Sequence, residues 1–192
     1  EQMLQAGAMP TNGIVVAMQV DLIGALEGIL RLLPETENIA VVFGTSPVER
    51  FWKDEFRRAA EPYTDRVGFV YLDHLPLEGI RARAASLGPK TAVFFGLLLV
   101  DADGVPYTPE EALEDILADA QAPVFTVFGN HLGLGTVGGV HIQERAVGLR
   151  AADAALQLLA GQPVAAVNVP PAPPAVPMYD WRALQRWGIG AK

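Results

Sequence analysis

Four short polar stretches each follow an apolar, β-branched run: Gly44-Thr45-Ser46, Asp73-His74, Asp101-Ala102-Asp103-Gly104 and Gly129-Asn130-His131. In an open parallel sheet, ligands sit beyond the carboxyl ends of the strands, so these stretches are the ones to weigh for chemistry. The amides around Thr45 and Ser46, at the start of a helix opening at Pro47, suit a carboxylate, although either side chain also serves as that helix's cap. Asp101 and Asp103 suit an ammonium group, and they equally flank a turn closed by Gly104. Taken together the two contacts fit a zwitterion such as an amino acid. His131 follows a strand end beside Asn130, and a loop histidine with no ligand is the plainer account of it.

Covalent and metal chemistry find less support. His74, His131 and His141 lack the HxH or HxxxH spacing that sets two imidazoles on one metal. DADG at 101–104 matches the opening of a calcium loop, but position twelve is Ala112 where that loop needs a bidentate glutamate. Gly133 to Gly138 spells GxGxxG, yet it leads into another strand-like run instead of a helix, and Asp153 falls inside a helical pattern. These glycines read instead as a crossing that needs positive φ or close backbone approach. Ser46 and Ser86 lack a GxSxG elbow. Trp181 and Trp187 near the chain end fit packing better than a ligand box. The pattern points to binding, with no acid, base, nucleophile, metal or cofactor.

The elements that would position these groups alternate. Ile14 to Met18, Ile39 to Phe43, Val67 to Leu72, Ala92 to Val100, Val124 to Phe128, Val137 to Ile142 and Ala165 to Val169 read as strands. Between them, Asp21 caps a helix with Leu22, Ile23, Leu26, Ile29, Leu30 and Leu33 on one face, ended by Pro34. Val48, Phe51, Trp52, Phe56, Ala59 and Ala60 recur at helical spacing up to Pro62. Thr108, Pro109 and Glu111 form a capping box before Leu113, Ile116 and Leu117. A helix from about Gln143 to Ala160 is expected to turn Ala146, Leu149, Ala152, Leu156 and Leu159 inward and to close on Gly161. The proline-rich run 170–177 reads as an extended strap, after which Met178 to Trp187 docks back. Near-continuous apolar strands alternating with helices predict an α/β fold, a three-layer doubly wound parallel sheet.

Composition narrows the partner. With 192 residues and 51% hydrophobic content, the chain has enough apolar material for a substantial core. A net charge of -8 argues against nucleic acid, which needs a basic stripe. Without cysteine there is no disulfide, thiolate nucleophile or Cys-ligated metal. The apolar runs are shorter than the ~20 residues a spanning helix needs, and the first ten residues show no leader pattern, as expected of a cytosolic protein or a piece of a longer one.

The NGIV start at 12–15, RLLP at 31–34, IAVVFG with SPVERFW at 39–52, VDADG at 100–104, APVFTVF at 122–128, LGLGTVGGV at 132–140, LLAGQP at 158–163 and YDWRALQRWGI at 179–189 occur in order. In this order they resemble the ABC transporter substrate-binding protein-like sensor domains of bacterial sensor histidine kinases, a type I periplasmic-binding-protein-like family. The resemblance implies two α/β lobes around a ligand cleft, an extracytoplasmic location and a membrane-anchored parent. It also implies that part of the first lobe is missing ahead of residue 12. The expected organisation is a crossing over 1–18, a ligand-binding lobe over 19–130, and a return crossing, helix and strap over 131–192. On this reading Gly44, Thr45, Ser46, Asp101, Asn130 and His131 line one side of the cleft as hydrogen-bonding or charge-pairing contacts. The expected ligand is small and amino-acid-like. Two rivals stay open: a flavodoxin-like nucleotide or flavin-binding enzyme domain, and a homodimerisation module using an apolar helix face, such as Leu22 to Leu33, without ligand.

Overall fold

A computed structural model describes residues 13–171 and 173–190. Asn12, the first residue of the NGIV motif, lies outside them. Helix α1 (Leu22–Leu32) starts where the Asp21 carboxylate accepts the Gly24 amide at 2.8 Å, and it buries Leu22, Leu26, Ile29 and Leu30 while Ile23 points outward. Strand β1 (Asn38–Phe43) leads into α2 (Pro47–Ala60), β2 (Gly68–Tyr71) into α3 (Leu77–Ala85), and β3 (Thr91–Leu97) into α4 (Pro109–Asp119). The Thr108–Glu111 capping box forms as its spacing dictates, with Pro109 at the first helical position where no amide donor is needed. Strands β4 (Val124–Thr126) and β5 (Gly138–His141), helix α5 (Glu144–Leu159), strand β6 (Val176–Tyr179) and helix α6 (Trp181–Arg186) follow.

The six strands form one sheet in the order β2-β1-β3-β4-β5-β6, and every pairing from β2 through β5 is parallel. Alternation along β1 and β3 assigns the two faces. Ala40, Val42, Val93 and Phe95 pack with Leu77 and Ile80 of α3 and with Leu113 and Ile116 of α4. Phe43 and Phe94 meet Phe56 of α2, whose ring stacks on Phe94 at 4.5 Å and is wholly buried. With both faces covered, β1 and β3 must be apolar throughout, which is the continuous pattern their sequences show.

The structure departs from the sequence reading in three places. Residues 14–18 form no strand, and 165–169 hold a short 3-10 turn, Val164–Ala166, in place of one. The strand comes later, at Val176–Tyr179, across the junction between the strap and the segment expected to dock back. It is seated by glycine: a Cβ on Gly138 would lie 2.2 Å from the Met178 carbonyl oxygen, and Gly138 holds φ at 103°. Gly133 and Gly135 also take positive φ, so the glycine run does serve as a crossing that only glycine accommodates easily.

The third departure concerns α5. Its periodicity predicts an inward face, but Leu149, Leu156 and Leu159 are exposed, Leu159 at 84%, and among its described residues only Ala154 is buried. The helix forms as its pattern demands, and the apolar stripe is left uncovered. Replacing Leu149 and Leu156 together by Ser should therefore shift the stability of this chain by no more than about 0.5 kcal/mol, as for surface positions. Chemical denaturation would show it; a loss of several times that amount would mean the stripe is packed in solution.

By compactness the chain divides into two units. Of the described residues, one contains those up to Val20 together with those from Ile142 to Val176; the other contains Asp21–His141 together with those from Pro177 onward. The second unit holds the carboxyl ends of β1 to β4.

Candidate functional site

The carboxyl ends of β1 and β3 are fastened together by a dense set of hydrogen bonds. The amides of Gly44 and Thr45 donate to the carbonyls of Leu97 and Val100 at 2.9 and 2.8 Å, and the Thr45 hydroxyl donates to the Asp101 carbonyl at 2.8 Å. Glu49, fully buried at 0% exposure, accepts the Ser46 amide at 2.9 Å on one carboxylate oxygen and the Leu99 amide at 2.5 Å on the other. Ser46 in turn accepts the Glu49 amide, completing a capping box on α2. Consequently the amides of Gly44, Thr45 and Ser46, expected to receive a carboxylate, are all spent inside the fold. Arg50 donates to the Thr45 carbonyl at the same rim.

Asp101 is similarly committed. It is 2% exposed, and its carboxylate accepts the amides of Leu77, Asp103 and Val105, each at 3.0 Å, and the Tyr107 hydroxyl at 3.3 Å. The Leu77 bond has a clear cause. Helix α3 has Pro76 at its N-cap, which offers no side-chain acceptor, so a carboxylate 24 residues away caps the helix in its place. Burial pushes the Asp101 carboxyl upward, but the three amides and the tyrosine hydroxyl outweigh it and hold the pKa below the usual carboxylate value.

His131 is 1% exposed. Its Nδ1 lies 2.8 Å from the Thr126 hydroxyl, its ring meets the edges of Phe95 and Phe128, and its carbonyl accepts the Thr136 hydroxyl at 2.9 Å. It is a joint between the end of β4 and the glycine crossing. Asn130 beside it is exposed, and its amide donates to Glu110 at 2.6 Å. At the end of β2, Asp73 is ion-paired with Lys53 at 2.6 Å.

The predicted residues thus sort by access. Gly44, Asp101 and His131 are interior supports; Thr45 and Ser46 are half-buried; Asn130 reaches solvent. Sequence reading missed Glu49 and Glu110, and the S-x-x-E spacing at 46–49 was the available signal for the first. Leu97, Leu99, Phe128 and Leu132, which adjoin these polar groups in sequence, are half-buried and leave apolar surface at this end of the sheet. Among the described residues there is no cluster of His, Asp and Glu able to hold a metal, and no helix long and apolar enough to cross a membrane.

No protein-family model and no curated protein matches the sequence. Solved structures do. An ABC domain in complex with L-Trp from Streptococcus pneumonia superposes with a TM-score of 0.68 at 15% identity, covering 89% of this chain and 58% of that one. A conserved domain protein from Vibrio cholerae gives 0.63 at 17% identity over 89% and 56%. A ligand-free, open substrate-binding protein with adhesive properties from Clostridium difficile gives 0.62 at 16% identity over 92% and 58%. This chain therefore spans somewhat more than half the length of the structures it matches. At these identities the likeness establishes the fold, a doubly wound α/β architecture of the periplasmic-binding-protein-like kind.

Proposed function

We propose that this chain is a small-molecule-binding domain of the solute-binding-protein type, non-catalytic, and part of a longer extracytoplasmic receptor that serves a sensor histidine kinase or a transport system. The observation that carries the reading is the fold match over 89–92% of the chain to structures that include a substrate-binding protein and an ABC domain in complex with L-Trp. Fold alone does not assign function, so the rim must supply the rest. Its accessible groups are Thr45, Ser46, Arg50 and the Asn130–Glu110 pair, with apolar surface at the same end of the sheet. These favour a ligand with an apolar body and an ammonium group, the latter paired with Glu110. An aromatic amino acid fits that description, in keeping with the L-Trp held by one neighbour. The uncovered leucines of α5 support a larger receptor, in which added α/β structure would shield them.

A thermal-shift titration tests this, because a ligand that binds only the folded state raises the melting temperature with concentration. L-Trp, L-Phe and L-Leu should stabilise the protein, and indole-3-propionate, which lacks the ammonium group, should not. Glu110→Gln should abolish the response without lowering the melting temperature of the free protein. A response confined to a chain lengthened at its amino end would place part of the binding wall outside these 192 residues. Silence from both chains, with the protein self-associating, would instead favour the dimerisation module.

A further inference from the structure

At the opposite end of the sheet, beside the amino ends of β1, β3 and β4, lies a cavity of about 920 Å³ within the larger compact unit. We propose that this cavity is a second small-molecule site, one that takes an amphipathic carboxylate with a flat aromatic or branched aliphatic body. Its volume falls at the upper end of the ~300–1,000 Å³ usual for ligand sites. The walls are mainly apolar, built from Leu33, Pro123, Pro177, Leu184 and the half-buried Trp187.

Two features give the cavity a sign and a shape. Arg31, an exposed side chain, lines it together with Glu35, and among the described residues the Arg31 guanidinium has neither an ion pair nor a hydrogen bond, whereas the neighbouring Lys90 is held by Glu37 at 2.5 Å. A planar, unpaired guanidinium beside an apolar wall matches a carboxylate in geometry and charge. Lys90 itself holds φ at 63°, the left-handed region that a lysine enters only under constraint. That conformation directs the Lys90 carbonyl to the amides of Glu37 and Asn38, at 2.8 and 3.3 Å, and fixes the loop that forms one side of the cavity. Backbone strain retained beside a ligand-sized cavity points to use of the site.

The site is independent of the strand-end reading and is tested separately. The 192-residue chain, labelled with 15N, is titrated with cinnamate and, in parallel, with its uncharged analogue cinnamamide. Cinnamate should shift the Trp187 indole N–H and the amides of Gly88, Lys90, Gly188 and Gly190. Cinnamamide should bind about tenfold more weakly, as expected when a charge-assisted hydrogen bond is lost. Arg31→Gln should reduce cinnamate to the level of the amide with an otherwise unchanged spectrum, and Glu110→Gln should leave cinnamate binding intact. Equal affinity for acid and amide, shifts confined to residues 44–46 and 129–131, or no shifts at all would each overturn the proposal.

Discussion

Replacing Asp101 by Asn should destabilise the fold by about 3 kcal/mol, because a charged acceptor of several buried hydrogen bonds is lost and the Leu77 amide is left facing another donor. One amide oxygen can still serve Asp103 and Val105, so the turn survives and the loss falls on the start of α3. The pH dependence gives an independent signature. The folded-state pKa of Asp101 lies below its unfolded value, so its contribution is complete above about pH 3.9 and disappears as pH falls through the lower folded value. Urea midpoints measured from neutral pH downward should therefore converge for the wild type and Asp101→Asn as pH falls below about 4. A gap that stays constant would show that the carboxylate charge has no part in it. Unchanged stability at neutral pH, accompanied by lost ligand affinity, would return Asp101 to the ligand contacts.

The same residue shows what a sequence can and cannot reveal. Local signals were legible: Asp21 before Leu22, Thr108 with Glu111 after a proline, and glycines where φ turns positive are decided within four residues, and each appears as read. The faces of β1 and β3 were legible in outline, since a strand covered on both sides has to be apolar throughout. Direction was not. The DADG spacing marks a turn, but whether its first carboxylate faces solvent or the interior depends on Leu77, the first residue of a distant helix, and on the proline that leaves α3 uncapped. Likewise Asn130 and His131 are adjacent in sequence, yet one reaches Glu110 at the surface and the other is enclosed by Phe95 and Phe128. Strand β6 was hidden by the prolines around it, because its place depends on a glycine in β5 that lets the backbones approach. The inward face assigned to α5 failed for a related reason: periodicity reports that a stripe is apolar, not that the same chain covers it.

Substituting Glu49 should have a comparably large effect and should reach the rim directly. Removing its carboxylate in Glu49→Ala strips the acceptor from the Ser46 and Leu99 amides and leaves a void at a fully buried position, at a cost of about 4 kcal/mol. Glu49→Gln retains one acceptor oxygen and should cost roughly half as much. Gly44 belongs to the same unit, since a Cβ there would lie 2.2 Å from a Glu49 carboxylate oxygen and 2.4 Å from the Val100 carbonyl oxygen. Gly44→Ala should therefore cost about 3 kcal/mol through overpacking, and the double variant Gly44→Ala/Glu49→Ala should lose less than the sum, because one of the two clashes has been removed. Denaturant unfolding of the single and double variants measures this coupling, and strict additivity would show that the two loops are held independently. The coupling also bears on recognition. If Glu49 is what holds the ends of β1 and β3 in register, hydrogen exchange at Ser46 and Leu99 should quicken in Glu49→Gln more than exchange in the interior of β3, loosening the rim before the core.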